Sequence, residues 1–275
     1  MRRFDLAGRI ALVTGAGSGI GRALTHALVA KGMRVIATDR DADGLAGTVS
    51  SVNGSAVTTR PLDVTDRPAI RALADAVARE HGRLDLLVNN AGIAQAHRFE
   101  DTDEAFFDRI MDVNFGGTVR MCRAFLPLLR QTGERHDHAR IVNISSLFGI
   151  IAPPRNTAYS ASKFAVAGFT QSLAHELRRT AVGVSVAHPG GVATAIASND
   201  ALLETLPEAE RDAHLARAGA LLRMPPPRAA TIIVRGIERR RPRIVVGRDA
   251  RATMALQRLA PVRYWRVAEW LRVET

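Results

Sequence analysis

The sequence predicts an α/β fold, a single domain in which helices cover both faces of a doubly wound, parallel sheet of seven strands. Short apolar runs alternate with longer helical patterns through most of the 275 residues, which is the order expected of a parallel sheet. Most of the runs are continuously apolar, as in strands that are covered on both faces. Glycines follow the first run and open the first helical pattern, where a strand must turn tightly into a helix.

The strands are predicted at residues 10–14, 34–38, 57–62, 86–89, 140–145, 183–188 and 243–246. Helical patterns fill the intervals at residues 20–31, 43–52, 68–81, 103–131, 158–181 and 226–239. Asp66 is placed to cap the third helix, with Pro68 in its first turn. Residues 1–247 are therefore predicted to form one domain.

Two segments depart from this regular alternation. Residues 195–224 form a longer insertion than an ordinary connection needs, and we expect one or two short amphipathic helices that act as a lid. Residues 248–275 extend past the last strand as a basic, aromatic C-terminal extension.

The formal charge of +11 is concentrated near the C-terminus. From residue 225 to residue 275 there are twelve arginines against four carboxylates, which leaves the rest of the chain at only +3. This nearly neutral body argues against nucleic-acid binding as the main role. Tyr264, Trp265 and Trp270 lie among the arginines, and three interpretations stay open: packing on the chain's own pocket, contact with a second subunit, or contact with a membrane surface.

Composition favours a cytoplasmic protein. Cys122 is the single cysteine, so no internal disulfide can form, and we expect it to be buried and inert. No apolar run reaches the roughly 18 residues that would span a bilayer. The run at residues 10–13 is too short for a secretory signal and continues into the glycine cluster. No metal site is expected.

The glycine cluster has the spacing of a dinucleotide-binding turn and makes the predicted sheet a Rossmann fold. Gly15 permits the tight turn, and Gly19 lets the backbone approach a pyrophosphate at the helix N-terminus. Gly21 allows close packing of helix on strand. Ser18 and Ile20 lie in the same turn and are expected to contact the cofactor.

Asp39 lies 20 residues beyond Gly19, at the end of the second strand. Its carboxylate can accept both hydroxyls of the adenosine ribose and would repel a 2′-phosphate, which favours NAD over NADP. Arg40 could pair with that phosphate, so the sequence leaves NADP open.

Tyr159 and Lys163 are four residues apart on one predicted helix and therefore share a face. A free tyrosine has a pKa of about 10, which is too high for a good base near neutral pH. The lysine one turn away, together with the positive nicotinamide ring, should favour the phenolate. The pair is therefore a candidate for proton transfer.

These motifs resemble the short-chain dehydrogenase/reductase family over nearly all of residues 8–247. The matching residues are Thr14, Gly15, Gly19 and Gly21, Asn89 to Gly92, Asn114, Ser146, Tyr159 to Lys163, and Pro189 with Gly190. The resemblance implies an NAD(P)-dependent oxidoreductase that interconverts a secondary alcohol and a ketone, with Tyr159 as the general acid/base. It also implies a homodimer or homotetramer built through the helices at 103–131 and 158–181.

The resemblance assigns two further catalytic roles. Ser146 stands 13 positions before Tyr159, the family's interval for the catalytic serine, and would bind the substrate oxygen together with Tyr159. Its neighbour Ser145 should face the other side of the sheet, although it remains the alternative serine. Asn114 would hold a water against Lys163 in a proton path. Because Asn and Gly are poor helix formers, a purely structural distortion of the helix is the alternative.

The remaining cofactor contacts are also implied by the resemblance. Asp63 and Val64 would meet the adenine ring, and Lys163 the ribose. Asn90, Ala91 and Gly92 would line the cofactor trough, although Asn90 could instead tie strands together. Pro189, Gly190, Val192 and Thr194 would meet the nicotinamide carboxamide.

The substrate is predicted to be a lipophilic alcohol or ketone. Residues 147–154, which follow Ser146, contain no Arg or Lys. The predicted lid is rich in apolar side chains: Leu202, Leu203, Leu206, Leu215, Leu221, Leu222 and Met224. These residues could instead simply pack the core and the lid hinge. Two other functions stay open, an NADPH-dependent ketone or ketoacyl reductase and a non-catalytic sensor of the nicotinamide cofactor.

Overall fold

The structure is a computed structural model, and it describes residues 3–52, 54–94, 97–194, 208, 211–212, 216, 219 and 222–266. It contains one seven-stranded sheet of order β3-β2-β1-β4-β5-β6-β7, and every neighbouring pair is parallel. The strands are β1 Ile10–Thr14, β2 Arg34–Asp39, β3 Val57–Pro61, β4 Leu86–Asn89, β5 Ala139–Ile144, β6 Val182–Pro189 and β7 Arg243–Val246. The predicted fold is confirmed, and each strand boundary lies within one residue of its prediction.

The described helices are α1 Gly19–Val29, α2 Ala42–Ser50, α3 Arg67–His81, α4 Glu104–Met111, α5 Gly117–His136, α6 Thr157–Glu176, α7 Pro226–Glu238 and α8 Arg248–Leu259. Asp66 caps α3 as expected, since its side chain accepts a hydrogen bond from the Ala69 N–H. The helical pattern predicted at 103–131 is not one regular α-helix and continues to His136. A π-helical turn, Asp112–Gly116, divides it into α4 and α5. None of the helices in the described part of the chain is long and apolar enough to cross a membrane.

Hydrophobic side chains fill both faces of the sheet. Alternate residues of β1 point to opposite sides, so Val13 packs with Leu24 of α1 on one face and Leu12 packs with Phe125 of α5 on the other. Cys122 lies in the second of these layers, and burial raises the pKa of its thiol to about 12, despite hydrogen bonds with Asn143 and Asn89 that act the other way. The expectation of a buried cysteine is confirmed.

The strand order creates a crevice above β1. The chain builds outward from β1 to β2 and β3, and then returns to place β4 on the other side of β1. The connections after β1 and β4 therefore leave in opposite directions, and an open space remains at the carboxyl ends of the strands. The glycine cluster lies at this edge because it follows β1 directly.

Candidate active site

The glycine turn after β1 has a backbone that other residues would strain. Gly15 and Gly19 have positive φ angles of 65° and 49°. Gly21 faces the carbonyl of Gly15 so closely that a Cβ there would lie 1.9 Å from the oxygen. Arg22, which the sequence analysis missed, donates to the carbonyls of Gly17 and Gly44 and so joins this turn to α2.

The N-terminus of α1 is open. Ser18 occupies the N-cap position, but its side chain accepts no hydrogen bond from the first turn. In contrast, the caps of α2, α3 and α4 are aspartates whose carboxylates each accept a backbone N–H. The first turn of α1 also carries no acidic residue. Within the described residues, neither the N-cap nor the first turn of α1 places a side-chain anion on its N–H groups, and this positive end of the helix dipole fits a pyrophosphate.

Asp39 ends β2 beside this turn. Its half-buried carboxylate accepts the Gly17 N–H at 2.9 Å through Oδ2 and the Asp41 N–H at 3.0 Å through Oδ1. Both bonds hold the carboxylate toward the glycine turn, and each oxygen keeps a lone pair for a further donor. This geometry fits two ribose hydroxyls.

Arg40 lies near Asp63, one of the two residues predicted to meet the adenine ring. Burial raises the pKa of Asp63, but hydrogen bonds from Thr65 and the charges of Arg40 and Arg109 outweigh it, so the pKa lies below its usual value. The positive charge of Arg40 is therefore close enough to stabilise the Asp63 carboxylate.

Asn90 ties β4 to the glycine turn. Its Nδ2 donates to the carbonyls of Thr14 at 3.0 Å and of Gly15 at 3.1 Å. In return, the Thr14 hydroxyl accepts the N–H groups of Asn90 at 2.9 Å and Ala91 at 3.0 Å. The sequence left open whether Asn90 lines the cofactor trough or ties strands together. These contacts correspond to the second role.

Twelve of the residues predicted to bind cofactor line one continuous groove: Gly15, Ser18, Gly19, Ile20, Asp39, Arg40, Asp63, Val64, Asn90, Ala91, Gly92 and Thr194. Asp41, Leu62, Ile93, Ala94 and Val113 line it as well, although the sequence analysis did not name them. The Val192 side chain packs in the core, and a contact of this residue with the carboxamide stays a prediction. Thr194 closes over Gly19, where a Cβ would lie 3.0 Å from its methyl carbon.

Asn114 lies in the π turn and secures the chain after β4. Its Nδ2 donates to the carbonyl of Ile93 and to the hydroxyl of Ser162, both at 2.9 Å, and its Oδ1 accepts the Ile93 N–H at 2.8 Å. The local distortion expected around Asn114 is confirmed. These bonds give the side chain a structural role, and a role in a water path stays a prediction.

Ser146, Tyr159 and Lys163 come together where the groove ends. Ser146 forms a side-chain hydrogen bond with Tyr159, and its Oγ also accepts the Phe148 N–H at 3.1 Å. Lys163 Nζ lies over the Tyr159 ring, 5.5 Å from its centroid, and donates to the Ile144 carbonyl at 3.3 Å. Gly92 connects this cluster to the groove, because a Cβ there would lie 3.3 Å from Lys163 Nζ.

The Ser145 side chain bonds to the backbone of the cluster and not to the side chain of Tyr159. Its side chain is buried, and its hydroxyl donates to the backbone carbonyl of Lys163 at 2.8 Å. The alternation expected along β5 therefore separates the two serines, and only Ser146 hydrogen-bonds with Tyr159.

Burial has the largest effect on the protonation of Tyr159 and Lys163. Burial raises the pKa of Tyr159, and the hydrogen bond with Ser146 offsets this only in part. Burial also lowers the pKa of Lys163 to about 8. In the chain without cofactor, burial therefore opposes the phenolate, and the combined effect of Lys163 and a bound nicotinamide ring stays a prediction.

His188, at the end of β6, is a site residue that the sequence analysis missed. Only 1% of its surface is exposed, and its Nδ1 lies 2.9 Å from the carbonyl oxygen of Ser146. Burial lowers its pKa to about 4, aided by Arg243 and opposed by the bond to Ser146. The neutral ring therefore donates from Nδ1 and holds the backbone of Ser146. Its position directly before Pro189 and Gly190 is the sequence signal that could have identified it.

Comparison with known proteins decides the family. A family model for short chain dehydrogenases matches residues 9–202. The chain belongs to the short-chain dehydrogenase/reductase family. It is an oxidoreductase of a family that acts on CH–OH groups and uses NAD(P).

Individual members of the family resemble this short-chain dehydrogenase along most of its length. The oxidoreductase SadH of Mycobacterium tuberculosis is 41% identical over 264 residues, which are 94% of each chain. The 3-oxoacyl-[acyl-carrier-protein] reductase FabG of Thermotoga maritima is 35% identical and covers 77% of this chain and 83% of its own. A crystal structure of a Burkholderia phymatum short-chain dehydrogenase/reductase in complex with NAD superposes with a TM-score of 0.83 at 30% identity, covering 94% of this chain and 95% of the other.

Two predicted segments are described only in part. Most of the predicted lid at 195–224, including Leu202, Leu203, Leu206, Leu215 and Leu221, lies outside the described residues, as does Trp270. Met224, at the end of the lid, pairs with Val192 in an isolated bridge. Tyr264 lies within the described extension, where its hydroxyl accepts the Ala152 N–H.

Proposed function

We propose that this short-chain dehydrogenase oxidises a lipophilic secondary alcohol with NAD, and that Tyr159 is its general acid/base. The observation that carries the proposal is the cluster of Ser146, Tyr159 and Lys163, in which Lys163 Nζ lies 5.5 Å from the Tyr159 ring centroid, at one end of a groove whose other end carries Asp39.

Residues in and beside the groove offer a candidate contact for each part of the cofactor. The open N-terminus of α1 would hold the pyrophosphate, Asp39 the adenosine ribose, and Asp63 and Val64 the adenine. Gly92 brings the trough to Lys163, which would bind the nicotinamide ribose. The carboxamide would lie against Pro189, Gly190, Thr194 and the backbone of Val192. When bound, NAD supplies the hydride acceptor.

Proton transfer belongs to the side chains at the end of the groove. The alcohol oxygen would sit between Ser146 and Tyr159, so that the serine hydroxyl donates to it and the tyrosine removes its proton. Because burial raises the pKa of Tyr159, the phenolate needs more positive charge than Lys163 provides. The oxidised nicotinamide ring carries that charge, which links proton removal to the oxidised cofactor.

The proposal for a lipophilic substrate rests on the segment after Ser146. It begins with Leu147 and Phe148, and the ring of Phe148 meets that of Tyr159 edge to face, with centroids 6.0 Å apart. Ile151 is buried in the same segment. The apolar side chains of segment 195–224 would complete the pocket as a lid.

The first experiment compares the wild-type enzyme with Tyr159→Phe on aliphatic and cyclic alcohols of increasing size. We expect kcat/KM to fall roughly 10²- to 10⁴-fold in the variant, the contribution of a general acid/base, with the NAD dissociation constant unchanged. Wild-type kcat/KM should rise with the apolar size of the alcohol. Equal turnover by the variant would reject Tyr159, and a preference for small polyols would reject the lipophilic substrate.

Reduction of a ketone or ketoacyl thioester with NADPH is the second candidate. The similarity to FabG of Thermotoga maritima favours it, and Arg40 at the groove could meet a 2′-phosphate. Measured dissociation constants for NAD and NADP separate the two, since Asp39 should make NAD the tighter ligand. A non-catalytic sensor would bind cofactor but turn over no alcohol or ketone.

We also propose a cytoplasmic homodimer or homotetramer that uses α5 and α6 as its interface. The family is typically oligomeric and acts on small molecules, which supports this assignment. The arginines of the C-terminal extension could instead contact a membrane surface. Liposome pelleting with and without residues 248–275 distinguishes membrane contact from packing within the protein or its oligomer.

A further inference from the structure

We propose that residues 248–266 form a clasp, a segment that fastens the two loops beside the catalytic cluster and makes Tyr264 a determinant of substrate size. The inference rests on the proposed oxidation of a lipophilic alcohol. It adds Asp249 to the residues around the site and gives Tyr264, whose packing on the chain's own pocket was one of three open interpretations, a specific contact. Two hydrogen bonds, one at each end of the segment, carry it.

The first anchor is Asp249, in the first turn of α8. Its carboxylate accepts the Gly191 N–H at 2.8 Å, directly after the Pro189–Gly190 pair that would meet the nicotinamide. Two glycines leave room for this contact. A Cβ at either Gly190 or Gly247 would lie 2.1 Å from a carboxylate oxygen of Asp249, and Gly247 also has a φ of +112°.

The second anchor is Tyr264, five residues after the end of α8. Its half-buried side chain reaches the segment that follows Ser146, where its hydroxyl oxygen accepts the Ala152 N–H at 3.1 Å. Ile151, the neighbour of Ala152, is buried. The contact therefore reaches the apolar segment proposed to line the substrate pocket.

The chain between the anchors is continuous and ordered by backbone hydrogen bonds. Ala250 of α8 is buried, and the Ala260 N–H donates to the Leu256 carbonyl at 2.8 Å at the end of the helix. The Tyr264 N–H then donates to the Ala260 carbonyl at 2.8 Å. These bonds connect the two anchors through one ordered helix and the turn that follows it.

The two fastened loops are already joined beneath the site. His188 precedes the Gly191 loop and holds the carbonyl of Ser146, which begins the Ala152 segment. The clasp adds a second connection between the same loops. Asp249 acts on the cofactor side and Tyr264 on the substrate side, so each is a positioning residue with a different kinetic signature.

Hydrogen exchange tests the two anchors without requiring turnover. The variants are Asp249→Ala, Asp249→Asn, which keeps an oxygen acceptor, and Tyr264→Phe, which removes only the hydroxyl. Arg258→Gln, an exposed position on α8, is the control. We expect the Gly191 amide to exchange roughly five- to tenfold faster in Asp249→Ala, with partial rescue in Asp249→Asn, and the Ala152 amide to do so in Tyr264→Phe. Exchange equal to that of the control at both amides would overturn the clasp.

Kinetics on the full chain test its effect on the substrate. In Tyr264→Phe we expect KM for a bulky cyclic alcohol to rise at least about fivefold, while KM for NAD and kcat for a small alcohol stay within twofold. Asp249→Ala should instead raise KM for NAD. A uniform loss of kcat in both variants would reject the size-selecting role. If the wild-type enzyme oxidises no alcohol, the proposed function fails, whereas the exchange data still decide whether the clasp exists.

Discussion

The Asp39 carboxylate has a structural role in the fold, and it is also the residue proposed to select the cofactor. It holds the glycine turn through Gly17 N–H and its own chain through Asp41 N–H, and it faces the groove beside Arg40. A negative charge in this position favours ribose hydroxyls and disfavours a phosphate.

Replacing this charge should change cofactor preference. In Asp39→Asn, which keeps one acceptor oxygen for the backbone, we expect the NAD dissociation constant to rise roughly tenfold and that of NADP to fall, because hydrogen bonds to a charged group are the stronger ones. Equilibrium titration with each cofactor measures both constants. Adding Arg40→Gln should cancel the gain for NADP, and a gain that survives this second change would contradict the role given to Arg40.

The π turn between α4 and α5 is where an element departs from its sequence pattern in order to build the site. The extra residue in the turn brings Asn114 into contact with Ile93 and with Ser162 of α6. One amide thereby joins three elements around Lys163. Such turns interrupt helices mainly at functional sites.

Removal of this amide should destabilise the fold. Asn114→Ala leaves the N–H and C=O of Ile93 without their partner, and we expect the free energy of unfolding to fall by about 1–3 kcal/mol. Urea denaturation measures the change. Gln131→Ala, an exposed position on α5, serves as the control and should stay within about 0.5 kcal/mol of wild type. Equal stability of the two variants would show that the amide does not hold these elements together.

Across the whole molecule, the carboxyl and amino ends of the strands differ in chemistry. The carboxyl ends carry the candidate site, whereas charged side chains are buried at the amino ends. There Asp85 accepts hydrogen bonds from Arg9 at 2.9 Å and from Arg83, and the buried Arg140 donates to Ser185. Burial and the charges of Arg240 and Arg140 lower the pKa of His138 to about 4.

His138 and His188 together predict acid sensitivity of the fold. Both have pKa values of about 4 against 6.5 for a free histidine, so the unfolded chain binds more protons between these pH values. Their contribution to stability is complete above pH 6.5 and is lost as the pH falls toward 4. The loss is up to about 1.4 kcal/mol per pH unit for His188, and smaller for the half-exposed His138.

Urea unfolding between pH 7 and pH 4 measures this dependence. The double variant His138→Gln with His188→Gln should flatten the slope, and His136→Gln, at an exposed position, should leave it unchanged. An unaltered slope in the double variant would assign the acid sensitivity to other groups.

The sequence by itself determined the strands, the glycine turn and the pairing of Tyr159 with Lys163. Each of these is a local pattern: a strand is a short apolar run, and four residues on a helix bring two side chains to one face. Twelve predicted groove residues meet because parallel strands deliver their carboxyl ends to one edge.

Only the tertiary structure decided the contacts between distant parts of the chain. His188 meets Ser146 across 42 residues, Asp249 meets Gly191 across 58, and Tyr264 meets Ala152 across 112. The π turn and the raised pKa of Tyr159 likewise depend on the neighbours that packing provides. Periodicity and spacing describe neighbours along the chain, whereas desolvation and long-range hydrogen bonds exist only once the layers have packed.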